Sequence, residues 1–325
     1  MNPGFEVTAI AECNPALQSK ARALRPIGTV YSDGKELIKS SDVDAVAIAT
    51  PVSSHFLLAL QALKRGKHVL VEKPMCASPE EGRELVAVAD RTRRAFMVDH
   101  TYLFHGAVRK LKQLKNNGFL GTITYYDSLR VNLGLFQSDV NVLWDLAPHD
   151  FSIMDYILEE QPVHVEATGY CHVNSHVPDI AYVTLHYRTR IIAHLNLSWI
   201  SPVKARRIAL GGSSKMVIWD DLNPDEKLKI YNSGIELHSQ DQRGILVPGY
   251  RVGDIHSPRL PSQEPLADAV EHFRRVIVGQ EAPLADARLG LRVVDLLERT
   301  QEALDVNLIR IEKLRTPEGS ARVAT

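Results

Sequence analysis

The first hundred residues alternate short apolar stretches with longer amphipathic ones, and this alternation constrains the fold more than any other feature. Residues 43–50 (VDAVAIAT) and 68–74 (HVLVEKP) are nearly continuous apolar runs, which is typical of parallel strands covered on both faces. Residues 53–66 and 78–94 repeat their apolar positions with helical spacing. Strand–helix alternation of this length predicts an α/β fold with a doubly wound parallel sheet and right-handed crossovers.

The pattern changes near Asp99. Beyond it, strand patterns follow one another with short connections, which predicts antiparallel hairpins. The predicted strands are 122–131, 163–173, 181–189, 190–200, 206–212 and 215–221, and the predicted helices include 145–158, 264–279 and 287–304. We therefore predict two domains. Residues 1–98 form the incomplete parallel-sheet domain, and residues 99–325 form an α+β domain with a large, mostly antiparallel, open-faced sheet.

Composition excludes several function classes. The formal net charge of the 325 residues is −1, which gives no electrostatic footprint for nucleic acid or for an anionic membrane. Three cysteines without a C-x-x-C pair fit a reducing cytoplasm and give no zinc framework. Cys171, His172 and His176 lie close in sequence, but adjacent residues of a strand point to opposite faces. We expect no metal site there.

Lys73 is the first residue that could carry chemistry. Glu72, Lys73 and Pro74 follow a buried strand, and ligands of open α/β sheets bind at the carboxyl ends of strands. Partial burial lowers the pKa of an ammonium group towards neutrality, so a lysine there can serve as an acid, a base or a hydrogen-bond donor. The alternative is a solvated lysine at a strand end.

A second candidate lies in the segment NVLWDLAPHD. Asp145 and His149 are four residues apart, so on a helix they share a face, and an imidazole can accept a proton from an alcohol near neutral pH. The alternative is that Asp145 only caps this helix, with Pro148 in the first turn. Trp144, next to Asp145, either lines a substrate site or belongs to the core.

Taken together, these segments resemble the Gfo/Idh/MocA oxidoreductases over nearly the whole chain. The resemblance rests on the order and spacing of VAIATPVSSH (46–55), VLVEKP (69–74), DLAPHD (145–150) and the closing residues 264–298. It implies NAD(P)-dependent oxidation or reduction of a sugar or cyclitol hydroxyl in a Rossmann-type fold. Residues 133–158 look most like family members that act on nucleotide-linked sugars.

The resemblance also implies roles for individual residues. Lys73 and His149 flank the reacting carbon, with Asp145 beside them and Trp144 as a further substrate contact. The residues that it implies for the cofactor are Glu12, Thr50, Pro51, His55, Glu72, Lys73 and Pro74. We expect a homodimer or homotetramer. Two alternatives remain open, an inositol or free-sugar dehydrogenase and a cofactor-free relative that acts as a binding or partner subunit.

The start of the chain departs from the family pattern. The family begins with a strand and a glycine-rich turn, G-x-G-x-x-G, that binds the pyrophosphate, and none of the glycines here forms that motif. The absent strand would lie between the strands near 6–12 and 44–50. We expect either that the native protein begins upstream or that the chain is a truncation that binds cofactor poorly. Glu12, with no arginine after it, favours NAD over NADP because a carboxylate repels a 2′-phosphate.

Overall fold

The computed structural model divides into two compact units. It describes residues 4–24, 28–40, 42–134, 136, 140–174, 176–238 and 247–315. The first unit combines residues 1–108, 151–153 and 261–296, and the second combines 109–150, 154–260 and 297–325. The first unit therefore includes residues 261–296, which the sequence-based division assigns to the second domain.

The first unit contains parallel strands that alternate with helices. Its strands are β1 (Ala9–Ala11), β2 (Thr29–Tyr31), β3 (Ala45–Ile48), β4 (His68–Glu72) and β5 (Phe96–Asp99). Its helices are α1 (Pro15–Leu24), α2 (Gly34–Lys39), α3 (Val52–Lys64), α4 (Pro79–Thr92) and α7 (Pro265–Ile277), with a 3₁₀ turn at Thr101–Phe104. Helices α5 (Gly106–Asn116), α6 (Val142–Leu158) and α8 (Ala287–Arg315) contribute residues to both units.

The prediction of an incomplete parallel sheet is confirmed. Strands β1 and β2 pair only with each other, and β3, β4 and β5 form a separate three-stranded sheet in that order. Among the described residues no strand joins β1 to β3. Burial explains the apolar runs: Val69, Val71 and Val98 are fully buried, as strands covered on both faces require.

Local signals start the helices where the sequence predicts. Asn14 accepts a hydrogen bond from the backbone N–H of Ala16 (2.9 Å), and Pro15 is the first residue of α1. The Ser78 hydroxyl accepts from the backbone N–H of Glu81 (3.3 Å) at the start of α4. Both arrangements satisfy N–H groups that the first helical turn leaves without a partner.

The second unit is built on an eight-stranded sheet. Its strands are β6 (Ile123–Leu133), β7 (His164–Tyr170), β8 (Ile180–His186), β9 (Ile192–Ser198), β10 (Ile200–Gly212), β11 (Met216–Asp220), β12 (Leu228–Tyr231) and β15 (Ile255–His256). The order is β15-β12-β11-β10-β6-β9-β8-β7, and every pairing except β6–β9 is antiparallel. Strands β13 (Gly234–His238) and β14 (Val247–Arg251) form a separate hairpin.

One face of the large sheet is covered and the other is open. Ala181, Val183 and Leu185 of β8 are fully buried, whereas Tyr182 between them is 38% exposed and Ile192 of β9 is 45% exposed. The predicted open-faced sheet is therefore confirmed. None of the described helices is long and apolar enough to cross a membrane.

Candidate functional site

Lys73 lies at the carboxyl end of the central strand of the first unit's larger sheet. Strand β4 ends at Glu72, which is paired in register with Asp99 at the end of β5. Burial, with the charge of Asp99 second, raises the pKa of Glu72, and burial, with the charge of Glu264 as a smaller cause, raises the pKa of Asp99. Two carboxyl groups and one ammonium group are thus gathered where ligands of parallel sheets bind.

His55 connects the segments that follow β3 and β4. Its ring is buried, with Nδ1 2.9 Å from the carbonyl oxygen of Pro74 and Nε2 2.7 Å from that of Thr50. Pro51 is the N-cap residue of α3, and the Lys73–Pro74 peptide bond is cis. His55 therefore links Thr50 and Pro74, since its two ring nitrogens face their backbone carbonyls.

Glu12 directly follows β1, at the carboxyl end of the smaller sheet. Its backbone N–H donates to the carbonyl of Tyr31 (3.0 Å), the residue at the end of β2. Its carboxylate accepts from the backbone N–H of Asn14 (2.7 Å). The sequence-predicted carboxylate is therefore held at the expected strand end.

Helix α6 carries the other predicted catalytic residues. Its N-cap is Asn141, whose side chain accepts from the N–H groups of Leu143 (3.0 Å) and Trp144 (3.1 Å). The alternative in which Asp145 caps the helix is thus wrong, because the chain supplies an earlier cap and Pro148 lies inside the helix.

The Asp145 side chain has a different partner, the indole of Trp199. Trp199 Nε1 donates to Asp145 Oδ2 at 3.0 Å, and Trp199 is almost completely buried. His149 lies one turn further along α6, on the same face as Asp145. Trp144 is half-buried. The Trp199 bond fixes the orientation of a carboxylate one helical turn before the imidazole.

The residue after His149 joins α6 to the central strand of the large sheet. Asp150 is fully buried and accepts from Tyr126 Oη (3.2 Å), Ser128 Oγ (2.7 Å) and Arg130 Nε (2.7 Å). These three donors alternate along β6, so they share one face of the strand. We call Asp150 and its three donors the Asp150 cluster; it fixes α6, and with it His149, against the sheet.

His149 lines a small cleft whose other polar residues are largely cationic. Arg130, Lys204 and Arg206 line it together with Val131, Asn132, Leu146 and Ala205. Arg206 Nη1 is 2.8 Å from Asp221 Oδ2, and Lys204 is exposed. His149 therefore shares the cleft with three basic residues, of which Arg130 is paired with Asp150 and Arg206 with Asp221.

The cationic lining is absent from the sequence-based prediction. The pairing of β10 with β6 moves five residues along β10, from Ile200 to Ala205, while it moves two along β6, from Leu133 to Val131. This bulge changes which side chains reach the cleft. The basic residues of the segment SPVKARR were the one available signal, but their direction depends on the bulge.

The residues weighed for a metal site have other partners. His172 Nδ1 lies 2.7 Å from Asp179 Oδ1, and the backbone N–H of His172 donates to the same carboxylate. Within the described ranges, no group of three or more potential ligands could hold a metal ion.

Comparisons with known proteins find family models that match two parts of the chain. Residues 1–100 match the family model described as "Oxidoreductase family, NAD-binding Rossmann fold", and residues 108–218 match the "GFO/IDH/MocA C-terminal domain". The UDP-N-acetylglucosamine 3-dehydrogenase of Acidithiobacillus ferrooxidans is 28% identical over 271 residues, which are 83% of this chain and 82% of that protein.

Two solved structures show the same fold. The crystal structure of a protein from Magnetospirillum magnetotacticum MS-1 superposes with a TM-score of 0.78 at 29% identity and covers 91% of this chain and 92% of that one. A structure of the A. ferrooxidans dehydrogenase superposes with a TM-score of 0.75 at 24% identity, over 92% and 98% of the two chains.

Proposed function

Because this chain belongs to the Gfo/Idh/MocA family of oxidoreductases, we propose that it transfers hydride between a nicotinamide cofactor and C3 of a nucleotide-linked sugar. The observation that carries the substrate class is the cleft beside His149, in which Lys204 is an exposed basic residue while Arg130 and Arg206 pair with Asp150 and Asp221. Arginine and lysine side chains bind phosphate oxygens through charge-assisted hydrogen bonds. A sugar that carries a diphosphate fits this lining better than a free sugar or an inositol.

The name of the A. ferrooxidans relative supports the same proposal. That protein is a UDP-N-acetylglucosamine 3-dehydrogenase and matches this chain over most of both lengths. An identity of 28% leaves the sugar of this chain to experiment. C3 of a nucleotide-linked sugar is therefore the first position to assay.

The proposed cofactor is NAD, and residues at the carboxyl ends of β1, β3 and β4 fit it. Glu12, at the end of β1, offers its carboxylate to a ribose of the cofactor. The carboxyl ends of β3 and β4 supply the residues for the nicotinamide end, which are Thr50, Pro51, Glu72, Lys73 and Pro74. His55 positions Thr50 and Pro74. The buried polar atoms of His100, next to Asp99, also suit a polar ligand at that end. When bound, the nicotinamide supplies the hydride acceptor or donor. The carboxylate of Glu12 is the reason to prefer NAD over NADP.

The chain's own residues move the proton in this proposal. His149 takes the proton of the reacting hydroxyl during oxidation. Asp145, oriented by Trp199, interacts with the substrate beside His149, with Trp144 as a further contact. Lys73 donates a hydrogen bond to the reacting oxygen and stabilises negative charge on it.

We also propose that the protein is a homodimer or homotetramer. The open face of the large sheet supports this, since it exposes Tyr182 and Ile192 beside polar residues. Light scattering at micromolar concentration measures the assembly directly, and a monomer would contradict it.

The function is tested by rates of nicotinamide reduction with NAD and a substrate panel of UDP-sugars, free sugars and inositols. We expect the highest kcat/KM with a UDP-sugar, and we expect Lys204→Glu to raise the KM for that substrate about tenfold, since it replaces an attractive charge with a repulsive one. Lys229→Glu is the matched control, because Lys229 lies on β12 and does not line the cleft. Equal rates on inositols, or no effect of Lys204→Glu, would contradict the substrate class.

A further inference from the structure

His100 is buried among the described residues without a hydrogen-bond partner for either ring nitrogen. His100 directly follows β5 and is 1% exposed. Neither Nδ1 nor Nε2 makes a hydrogen bond. A buried polar atom without a partner costs about 1–3 kcal/mol, and native proteins contain few of them. The position therefore calls for an explanation.

Two other buried histidines of the same unit do have hydrogen-bond partners for their ring nitrogens. Both nitrogens of His55 lie within 3.0 Å of carbonyl oxygens. His272 contacts Glu281 Oε2 through Nδ1 (2.6 Å) and accepts from the backbone N–H of Leu284 through Nε2 (3.0 Å). His100 differs from both because it lies at the strand ends where ligands of parallel sheets bind.

The surroundings of His100 define what it can bind. Burial, with the charge of Lys73 second, lowers the pKa of His100 to about 3, so the ring is neutral at physiological pH. A neutral imidazole has one N–H donor and one acceptor nitrogen. Since the charge of Lys73 acts on it, such a ring suits an uncharged polar group, whereas a phosphate would be bound by the basic side chains themselves.

We propose that His100 binds the carboxamide of the nicotinamide and thereby fixes the orientation of the ring that exchanges hydride. This inference rests on the proposed function. A carboxamide is uncharged and offers both a donor and an acceptor, which matches a neutral imidazole. Lys73, whose charge acts on His100, is the residue assigned to the reacting oxygen, so the two side chains serve the same end of the cofactor.

The test compares the binding of NADH and of ADP-ribose, which lacks the nicotinamide, by calorimetry on the wild-type chain and on His100→Leu. We expect His100→Leu to weaken NADH binding about tenfold, the equivalent of one lost hydrogen bond, and to leave ADP-ribose binding unchanged. His100→Gln, which keeps a donor and an acceptor, should recover part of the loss. His176→Leu is the control, since His176 lies in an exposed loop.

Further outcomes separate this inference from the proposed function. If the wild type binds NADH and His100→Leu binds it equally well, the role of His100 is overturned while the function stands. Equal losses for NADH and ADP-ribose in both His100 variants would make the role structural and would also overturn the proposal. If the wild type binds neither ligand, both proposals fail.

A measurement on the wild type alone covers the case in which the variants do not fold. The ring ¹⁵N resonances of His100 should shift when NADH is added and stay in place when ADP-ribose is added. No shift with saturating NADH would overturn the proposal.

Discussion

Two buried polar side chains, one in each unit, differ in whether the protein satisfies their hydrogen bonds. In the second unit, Asp150 accepts three hydrogen bonds from β6 and is fully buried. In the first unit, His100 is just as buried, but its ring nitrogens have no partner among the described residues. The comparison sets a scaffold residue beside a proposed binding residue: Asp150 holds α6 in place, whereas we propose that the ring nitrogens of His100 bind a ligand.

The largest expected effect concerns the two proposed catalytic residues, His149, which the Asp150 cluster positions, and Lys73. His149→Ala or Lys73→Ala should lower kcat by roughly 10²–10⁴-fold, because each removes a proton-transfer or charge-stabilising group from the reaction. Steady-state kinetics with NAD and the best UDP-sugar measure this. Wild-type kcat in either variant would remove that residue from the mechanism, and His176→Ala serves as the unaffected control.

For Asp150, the scaffold residue, we predict that substitution lowers stability. Asp150→Ala removes the buried carboxylate that accepts hydrogen bonds from Tyr126, Ser128 and the guanidinium of Arg130, so the free energy of unfolding should fall by about 3–5 kcal/mol. Urea unfolding followed by fluorescence measures it. The matched control is Asp90→Ala, which removes an ion pair to Arg288 whose side chains are about half exposed, and which should cost at most about 1 kcal/mol. Equal costs would contradict the role of the Asp150 cluster.

For His100, the proposed binding residue, we predict a gain of stability instead of a loss. His100→Leu removes buried polar atoms that have no partner in the unliganded protein, so its free energy of unfolding should rise by about 1–3 kcal/mol, while NADH binding weakens. Such a gain of stability with a loss of binding is the usual trade-off at functional sites. A variant less stable than the wild type would indicate that His100 supports the fold.

The pH dependence of stability sharpens the same contrast. The unfolded chain binds a proton at His100 below about pH 6.5, whereas the folded chain binds it only near pH 3. Stability from this group is therefore complete above about pH 6.5 and is lost as the pH falls towards 3. The pKa of His68 is also lowered, by burial and by Arg94, so the test is the difference between wild type and His100→Gln. We expect the variant to lose less stability between pH 6.5 and 4; equal losses would contradict the assignment.

Local signals made part of the fold predictable from the sequence. The predicted helix over 78–94 and the antiparallel pairing of the predicted strands 181–189 and 190–200 depend on residues that are close together in the sequence. The two separate parallel sheets follow because none of the described strands pairs with both β1 and β3. These features depend on local sequence patterns.

Features that depend on tertiary partners were not predictable. Asn141 and Asp145 are both good cap residues, and only the path of the chain decides between them. The cleft position of Lys204 depends on the bulge in β10. Whether His100 has a hydrogen-bond partner depends on residues far along the chain, and nothing in the segment MVDHTYL reveals it.

The most direct test of the proposed hydride transfer from C3 follows one deuterium atom. A UDP-sugar with deuterium on C3 is incubated with NAD and the protein, and the reduced nicotinamide is examined by mass spectrometry. The account predicts that one deuterium appears in the reduced cofactor and that His149→Ala suppresses its formation. Reduced cofactor without deuterium, or release of the deuterium to water, would contradict hydride transfer from C3.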